Sequence, residues 1–357
     1  MPDAPLPIDR DSDGTAVSEI AQAPEASPAF SADPIPLVSV RDLVVTLNSA
    51  APVQLVRGVS FDMEPGEILG VVGESGAGKS MIGTALTGLV ASPLAITGGE
   101  IHYRGRRIDG LQGEAMRKLR GREIGAIFQD PLTALNPVFT IGSQLVETIG
   151  EHLGLTGQAA RAEAISLLAQ VGIPDPHGRL DSYPHEFSGG MRQRVVIALA
   201  LAGRPNLIIA DEPTTALDVS IQGQVIELLR DLCARRGTAV MLITHDMGVI
   251  AALADRVAVL YAGRIVEIGP VAEVIDRPRH PYTQGLMDSI PELGRRLPRL
   301  RQIIGAMPRP DALPPGCAFA PRCPTVIEAC NQAVPAFDAD GPHRAACIRT
   351  DARVLAA

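Results

Sequence analysis

The run Gly73-Glu74-Ser75-Gly76-Ala77-Gly78-Lys79-Ser80 constrains this chain more than any other stretch. It follows a buried-strand pattern, Glu67-Ile68-Leu69-Gly70-Val71-Val72, and leads into a segment that reads as a helix from Lys79 to Leu86. Glycines at this spacing let consecutive backbone N–H groups converge on phosphate oxygens, and the helix start that follows adds partial positive charge. In such a loop the Lys79 ammonium reaches the outer phosphates and the Ser80 hydroxyl holds Mg²⁺. The plain alternative is a glycine-rich turn without a ligand. The strand before it and the helix after it favour the phosphate loop.

The surrounding pattern sets the architecture. Leu207-Ile208-Ile209-Ala210 reads as a second buried strand, followed by a helix over 221–236 and a strand from Ala239 to Thr244. Strand, helix, strand at that spacing is a βαβ unit, which predicts a mainly parallel sheet flanked by helices. Ahead of it, Leu37-Val38-Ser39-Val40 and Leu43 to Leu47 alternate as two short strands of a small antiparallel layer. Residues 141–153, 158–171 and the stretch from Gly190 to Ala202 predict helices, giving a helical insertion at about 136–200.

The chain has 357 residues and a net charge of −8, unevenly spread. Residues 1–35 hold seven acids and one arginine, many prolines and few large apolar groups, and read as a disordered acidic tail. Residues 36–290 form the nucleotide-binding domain. Residues 291–357 hold nine arginines, six acids and four of the five cysteines, and read as a small irregular cysteine-bearing appendage. The longest apolar run, Val195 to Ala202, is eight residues, far short of the ~18 that cross a bilayer. No tryptophan and 3% aromatic residues argue against nucleic-acid binding. Five cysteines in so long a chain make no secreted disulfide scaffold, and the acidic N-terminus is no signal peptide. The expectation is a soluble, intracellular chain.

Asp211 and Glu212 end the second buried strand, at the rim where parallel sheets bind ligands. Asp211 suits a Mg²⁺ contact, and Glu212 suits the orientation and deprotonation of an attacking water; a cap pair before Pro213 is the plain alternative. Ser188-Gly189-Gly190 opens a further helix, with Ser188 as N-cap, and makes a second exposed helix start. One nucleotide needs no second anion site in the same chain, so this surplus points to a site shared between two chains.

In order along the chain, the phosphate loop, Gln129 in Ile127-Phe128-Gln129-Asp130, Ser188-Gly189-Gly190, Asp211-Glu212, Ala216-Leu217-Asp218 and His245 resemble an ABC transporter ATPase subunit. The resemblance spans roughly 36–290 and implies a phosphate-loop α/β core with an antiparallel β subdomain and a helical insertion. It implies ATP and Mg²⁺ held by Gly73 to Ser80 and Met81, with Ser80, Gln129 and Asp211 toward the metal. It also implies Glu212 as base, His245 as γ-phosphate switch, Ser188 to Gly190 facing a partner's phosphate loop and Asp218 contacting the opposite subunit. Two details depart from the wider family: Met191 stands where glutamine is common, and Leu47 where an adenine-stacking aromatic is expected.

Phe128 to Pro137, Phe187 to Arg194, His280-Pro281-Tyr282-Thr283-Gln284 and the tail with Cys317, Phe319, Pro321, Arg322, Cys323 and Pro324 are similar to the peptide/nickel importer subfamily. That resemblance implies an importer of oligopeptides or dipeptides, with nickel chelates or glutathione-like compounds as alternative cargo. It also implies a second, different ATPase subunit, two membrane permease subunits, an external substrate-binding protein and a place at the cytoplasmic face of the inner membrane. A soluble ABC ATPase acting on ribosomes or chromatin, or a metal or redox sensor, are the competing classes. The last four cysteines, Cys317, Cys323, Cys330 and Cys347, lack the close pairs usual for structural zinc. Four thiolates on a proline-rich segment suit a four-cysteine cluster, and the subfamily resemblance makes that a [4Fe–4S] centre; inert thiols are the alternative. Cys233, inside the helix over 221–236, is expected to be plain packing.

Overall fold

The computed structural model describes residues 35–214, 219–290, 302–338 and 341–349, with backbone alone at 131, 132 and 219–221. The acidic tail read over 1–35 therefore lies outside the described residues apart from Ile35, as does Asp218. From Pro36 onward the chain forms one unit.

Its strands are β1 (Val38–Leu47), β2 (Val53–Met63), β3 (Ile68–Val72), β4 (Leu94–Tyr103), β5 (Arg106–Arg107), β6 (Ile124–Ile127), β7 (Leu207–Asp211), β8 (Ala239–Ile243), β9 (Arg256–Tyr261), β10 (Arg264–Pro270) and β11 (Arg344–Ala345). They make an antiparallel layer in the order β2-β1-β4-β5 and a larger sheet in the order β11-β10-β9-β3-β8-β7-β6. From β9 to β6 every pairing in the larger sheet is parallel; β10 and β11 close that edge antiparallel. This is the fold that the βαβ pattern predicts.

The two faces of the large sheet feed separate cores. Ile208, Ala210, Val240, Leu242, Val257 and Val259 pack with the helices Ile141–Leu153, Gly157–Gln170 and Gly189–Leu201. Leu207, Ile209, Met241, Ile243, Ala258 and Leu260 pack with the antiparallel layer and the helix Lys79–Leu86. Successive residues thus alternate between cores, as the two-residue period of a strand demands, and strands buried on both faces have to read as unbroken apolar runs.

One expectation is corrected. The two short strands at Leu37–Val40 and Leu43–Leu47 are a single strand, β1, kinked at Arg41-Asp42, where the register to both β2 and β4 shifts. The polar pair looks like a break in sequence, but it sits in a bulge, with Asp42 at φ 47° and its N–H donated to the Ser60 hydroxyl.

Candidate active site

The parallel strands all end at one rim, and the candidate residues gather there. Gly73 follows β3 with φ 154°, and a Cβ at that position would lie 2.3 Å from the Leu260 carbonyl oxygen. Only glycine lets the loop leave the sheet this close to β9. The loop then runs into the helix Lys79–Leu86, and Lys79 is buried there, 6% exposed. Its ammonium donates to the carbonyls of Gly73 at 2.8 Å and Glu74 at 3.1 Å. Burial pulls its pKa below the ordinary lysine value, with Glu212 and Asp211 opposing. Met81, one residue beyond the loop, packs part-buried against the core under the antiparallel layer.

Opposite the loop, β7 delivers Asp211. The Ser80 hydroxyl donates to Asp211 Oδ1 at 3.1 Å. Burial raises the Asp211 carboxyl, the Ser80 bond opposes that shift, and Glu212 adds to it. A hydroxyl and a carboxylate side by side at a helix start are hard oxygen donors of the kind Mg²⁺ takes with phosphate oxygens.

Glu212 lies just beyond the strand in a left-handed conformation, φ 47°, held by its N–H donated to the Ile243 carbonyl at 2.8 Å. A non-glycine residue there is strained by roughly 1–3 kcal/mol, a cost found concentrated at functional sites. Its carboxylate is engaged at both oxygens: Gln129 Nε2 donates to Oε2 at 2.9 Å, and His245 Nδ1 lies 3.1 Å from Oε1. Three residues drawn from the ends of β6, β7 and β8 thus form one polar chain. Each is legible in sequence, but their convergence on a single carboxylate is set by strand order.

Ser188 caps its helix, the hydroxyl accepting the Met191 N–H at 3.3 Å, so the backbone at Ser188-Gly189-Gly190 is an exposed helix start. Its polar contacts are local to that helix and the turn before it, where Arg192 donates to the Pro184 carbonyl. Leu47 ends β1, half-buried, paired with Val53 and Leu94.

The phosphate loop has a second set of partners that sequence reasoning did not connect to it. Tyr282, at the start of the helix Pro281–Asp288, accepts the Glu74 N–H at 2.9 Å. Arg322 donates to Glu74 Oε2 at 3.0 Å.

The four C-terminal cysteines are all free thiols. Burial raises the thiol pKa of Cys317 and of Cys347. Cys317 N–H donates to the Cys330 carbonyl at 2.7 Å. Among the described residues no group of three or more His, Cys, Asp or Glu side chains stands in an arrangement that would hold a metal ion. Cys233 is 1% exposed in its helix, and burial pushes its thiol up to about 12.

No helix of the described residues is long and apolar enough to cross a membrane. Residues 56–215 match the ABC transporter family, and residues 266–330 match the oligopeptide/dipeptide transporter C-terminal region. The dipeptide transport ATP-binding protein DppD of Bacillus subtilis is 48% identical over 301 residues, covering 84% of this chain and 90% of that protein. The oligopeptide transport ATP-binding protein OppD of Mycobacterium tuberculosis is 48% identical over 320 residues, covering 88% of this chain; the chain spans 52% of the length of that relative. Among solved structures, the ATP-binding cassette MJ0796, in a dimeric post-hydrolysis state bound to ADP and Pi, aligns with a TM-score of 0.59 at 26% identity. That alignment covers 66% of this chain and 98% of the cassette.

Proposed function

This chain belongs to the ABC transporter ATP-binding proteins, in their oligopeptide/dipeptide branch, and from that premise we propose that it is the ATP-hydrolysing subunit that energises peptide uptake from the cytoplasmic face of the cell membrane. The observation that carries the reading is the polar chain Gln129–Glu212–His245 set beside the Ser80–Asp211 pair and Lys79. Bound ATP supplies the transferable phosphoryl group, and Mg²⁺ neutralises its oxygens. The residues of this chain do the rest. Loop N–H groups and Lys79 would bind the phosphates, Ser80, Asp211 and Gln129 would hold the metal, and Glu212 takes the proton of the attacking water. Gln129 and His245, each on one carboxylate oxygen, keep the Glu212 base aimed.

The capped helix start at Ser188-Gly189-Gly190 and Asp218 would complete the site of a second, non-identical ATPase subunit, so that closure of the pair reorients two permease subunits fed by an external substrate-binding protein. Phe128, the residue before Gln129, is 48% exposed and leaves apolar surface there for a membrane partner. Nickel chelates and glutathione-like compounds are the alternative cargo. Glu212→Gln should keep ATP binding and slow hydrolysis about 10²–10⁴-fold. Near wild-type turnover in the assembled importer overturns the base assignment. Copurification with membrane subunits, against a stable complex without them, separates transport from a soluble ATPase role.

A finer reading is a [4Fe–4S] centre on Cys317, Cys323, Cys330 and Cys347, four free thiols on one proline-rich segment. The thiols as placed do not make a metal site, so a cluster would require them to draw closer. Anaerobically purified protein should be brown and contain iron, both lost in Cys323→Ser and kept in Cys233→Ser. Colourless, iron-free protein sinks this reading.

A further inference from the structure

Glu74, the second residue of the phosphate loop, has all of its main polar groups committed. Its carbonyl accepts from the Lys79 ammonium at 3.1 Å, its N–H donates to Tyr282 Oη at 2.9 Å, and its carboxylate takes Arg322 at 3.0 Å. Two of these three partners come from beyond the parallel sheet, from 281 onward in sequence. Two bonds therefore connect the C-terminal segment to Lys79.

Arg322 is built into its place. Its side chain is 6% exposed, while that of Glu74 is 29% exposed. The guanidinium lies 5.8 Å from the centre of the Tyr261 ring and donates to Tyr261 Oη at 3.3 Å. Its Nε donates to the Ile304 carbonyl at 3.1 Å and Nη2 to the Ile303 carbonyl at 3.5 Å. Burying a charge is costly unless partners surround it, and here they do. Phe319, three residues earlier, is 2% exposed and meets Tyr261 edge-on at 5.2 Å and Tyr282 at 5.5 Å. Phe319 and the single turn Ala320–Arg322 thus form a plug behind the loop, bracketed by Cys317 and Cys323. The same segment also touches the loop near its middle, where Met307 Cε lies 3.4 Å from the position a Cβ on Gly76 would take.

An ion pair at the surface stabilises little, but a guanidinium already ordered by three other acceptors holds a carboxylate without further loss of freedom. What Arg322 fixes is a backbone segment whose N–H and carbonyl groups must sit correctly to receive phosphates. We infer that Arg322 is a positioning residue of the nucleotide site, through which the cysteine-bearing C-terminal segment sets the affinity of the phosphate loop for ATP. Arg322 lies next to Cys323 in sequence, so the cysteine-bearing segment and the loop meet at this residue. A plug that merely stabilised the fold would lower stability and leave nucleotide affinity alone.

This inference rests on the ATPase reading above, and one experiment separates the two. Mg·ATP binding by the full-length chain, and KM and kcat for ATP in its assembled complex, are measured for wild type, Arg322→Ala, Arg322→Lys, Glu74→Ala and the double alanine variant. Arg322→Ala and Glu74→Ala should each weaken ATP affinity about tenfold, the loss expected for one charge-assisted hydrogen bond, with kcat held within about twofold. The double variant should be no worse than either single one, since both break the same link. Arg322→Lys should recover most of the loss. Additive losses in the double variant, or unchanged KM in Glu74→Ala, overturn the inference. Glu74→Ala approaches the pair from its more exposed side, so the test stands even where Arg322→Ala does not fold. A wild-type chain that binds no Mg·ATP would instead sink the ATPase reading.

Discussion

The phosphate-loop rim and the C-terminal segment are both polar, both rich in turns and in mutual contact, yet they are built on different principles. The rim hangs on the ends of parallel strands whose residues are nearly all buried, and its functional groups lie within a few residues of those ends. The C-terminal segment has a single-turn helix at Ala320–Arg322, a short helix Glu328–Gln332 and the two-residue β11. What holds it is a set of buried polar anchors. Glu267, fully buried in β10, accepts from the N–H groups of Arg279 and His280 at 2.7 and 2.9 Å and lies 2.7 Å from His343 Nε2. Arg279 in turn donates to the His343 carbonyl and pairs with Asp338. The polar groups of the rim bond to one another at strand ends held by sheet packing, whereas a segment with little core uses them for its own attachment.

The contrast can be broken most forcefully at Lys79. Lys79→Ala should weaken ATP binding about 10²–10³-fold, because it removes charge-assisted bonds to the phosphates, while thermal stability falls little. A titration of nucleotide against the folded variant checks this, and a large loss of stability with binding intact would show that Lys79 serves the fold. On the other side, Glu267→Ala should cost on the order of 3 kcal/mol of stability, since a buried and a half-buried N–H group lose their acceptor, with ATP affinity held within about twofold. Denaturant melts and the same titration distinguish the outcomes. Equal damage to affinity would mean that the two regions cannot be separated in this way.

The smallest effect concerns pH. Burial pushes His280 down to about 4, with Glu267 opposing, against an ordinary value of ~6.5. The unfolded chain therefore binds a proton that the folded chain does not between those values, and stability declines as pH falls from about 6.5 toward 4. His280→Asn keeps an acceptor for the Tyr282 N–H, which His280 Nδ1 now takes at 3.1 Å, and removes the titration. Its melting temperature should fall less steeply between pH 7 and 5 than that of the wild type. An unchanged slope would place the acid sensitivity elsewhere.

Much of the regular structure was legible because its signals are local. The helix Lys79–Leu86 and the helix Ile141–Leu153 stand where pattern reading puts them, and the strands around Val71, Ile209 and Met241 are unbroken apolar runs. Strand β4 was not legible, since Gly98-Gly99 inside it reads as a turn. Its reason is tertiary: Gly99 has φ +82°, and a Cβ there would lie 2.4 Å from the carbonyl oxygens of Arg41 and Asp42, at the bulge of the neighbouring strand. The β9–β10 edge was missed for a related reason, as short apolar runs such as Val257 to Tyr261 are ambiguous until a partner strand is known.

The sequence by itself determined the phosphate loop and the acids at the end of β7, which rest on residues a few positions apart, and the mainly parallel sheet and the family, which rest on the order of such local signals along the chain. Only the tertiary structure decided that Gln129 and His245, brought in from neighbouring strand ends, bind the two oxygens of one Glu212 carboxylate. It alone decided that Arg322, 248 residues from Glu74, closes on the phosphate loop. Strand order and the burial of an aromatic plug act across the whole chain, and no local period or spacing encodes them.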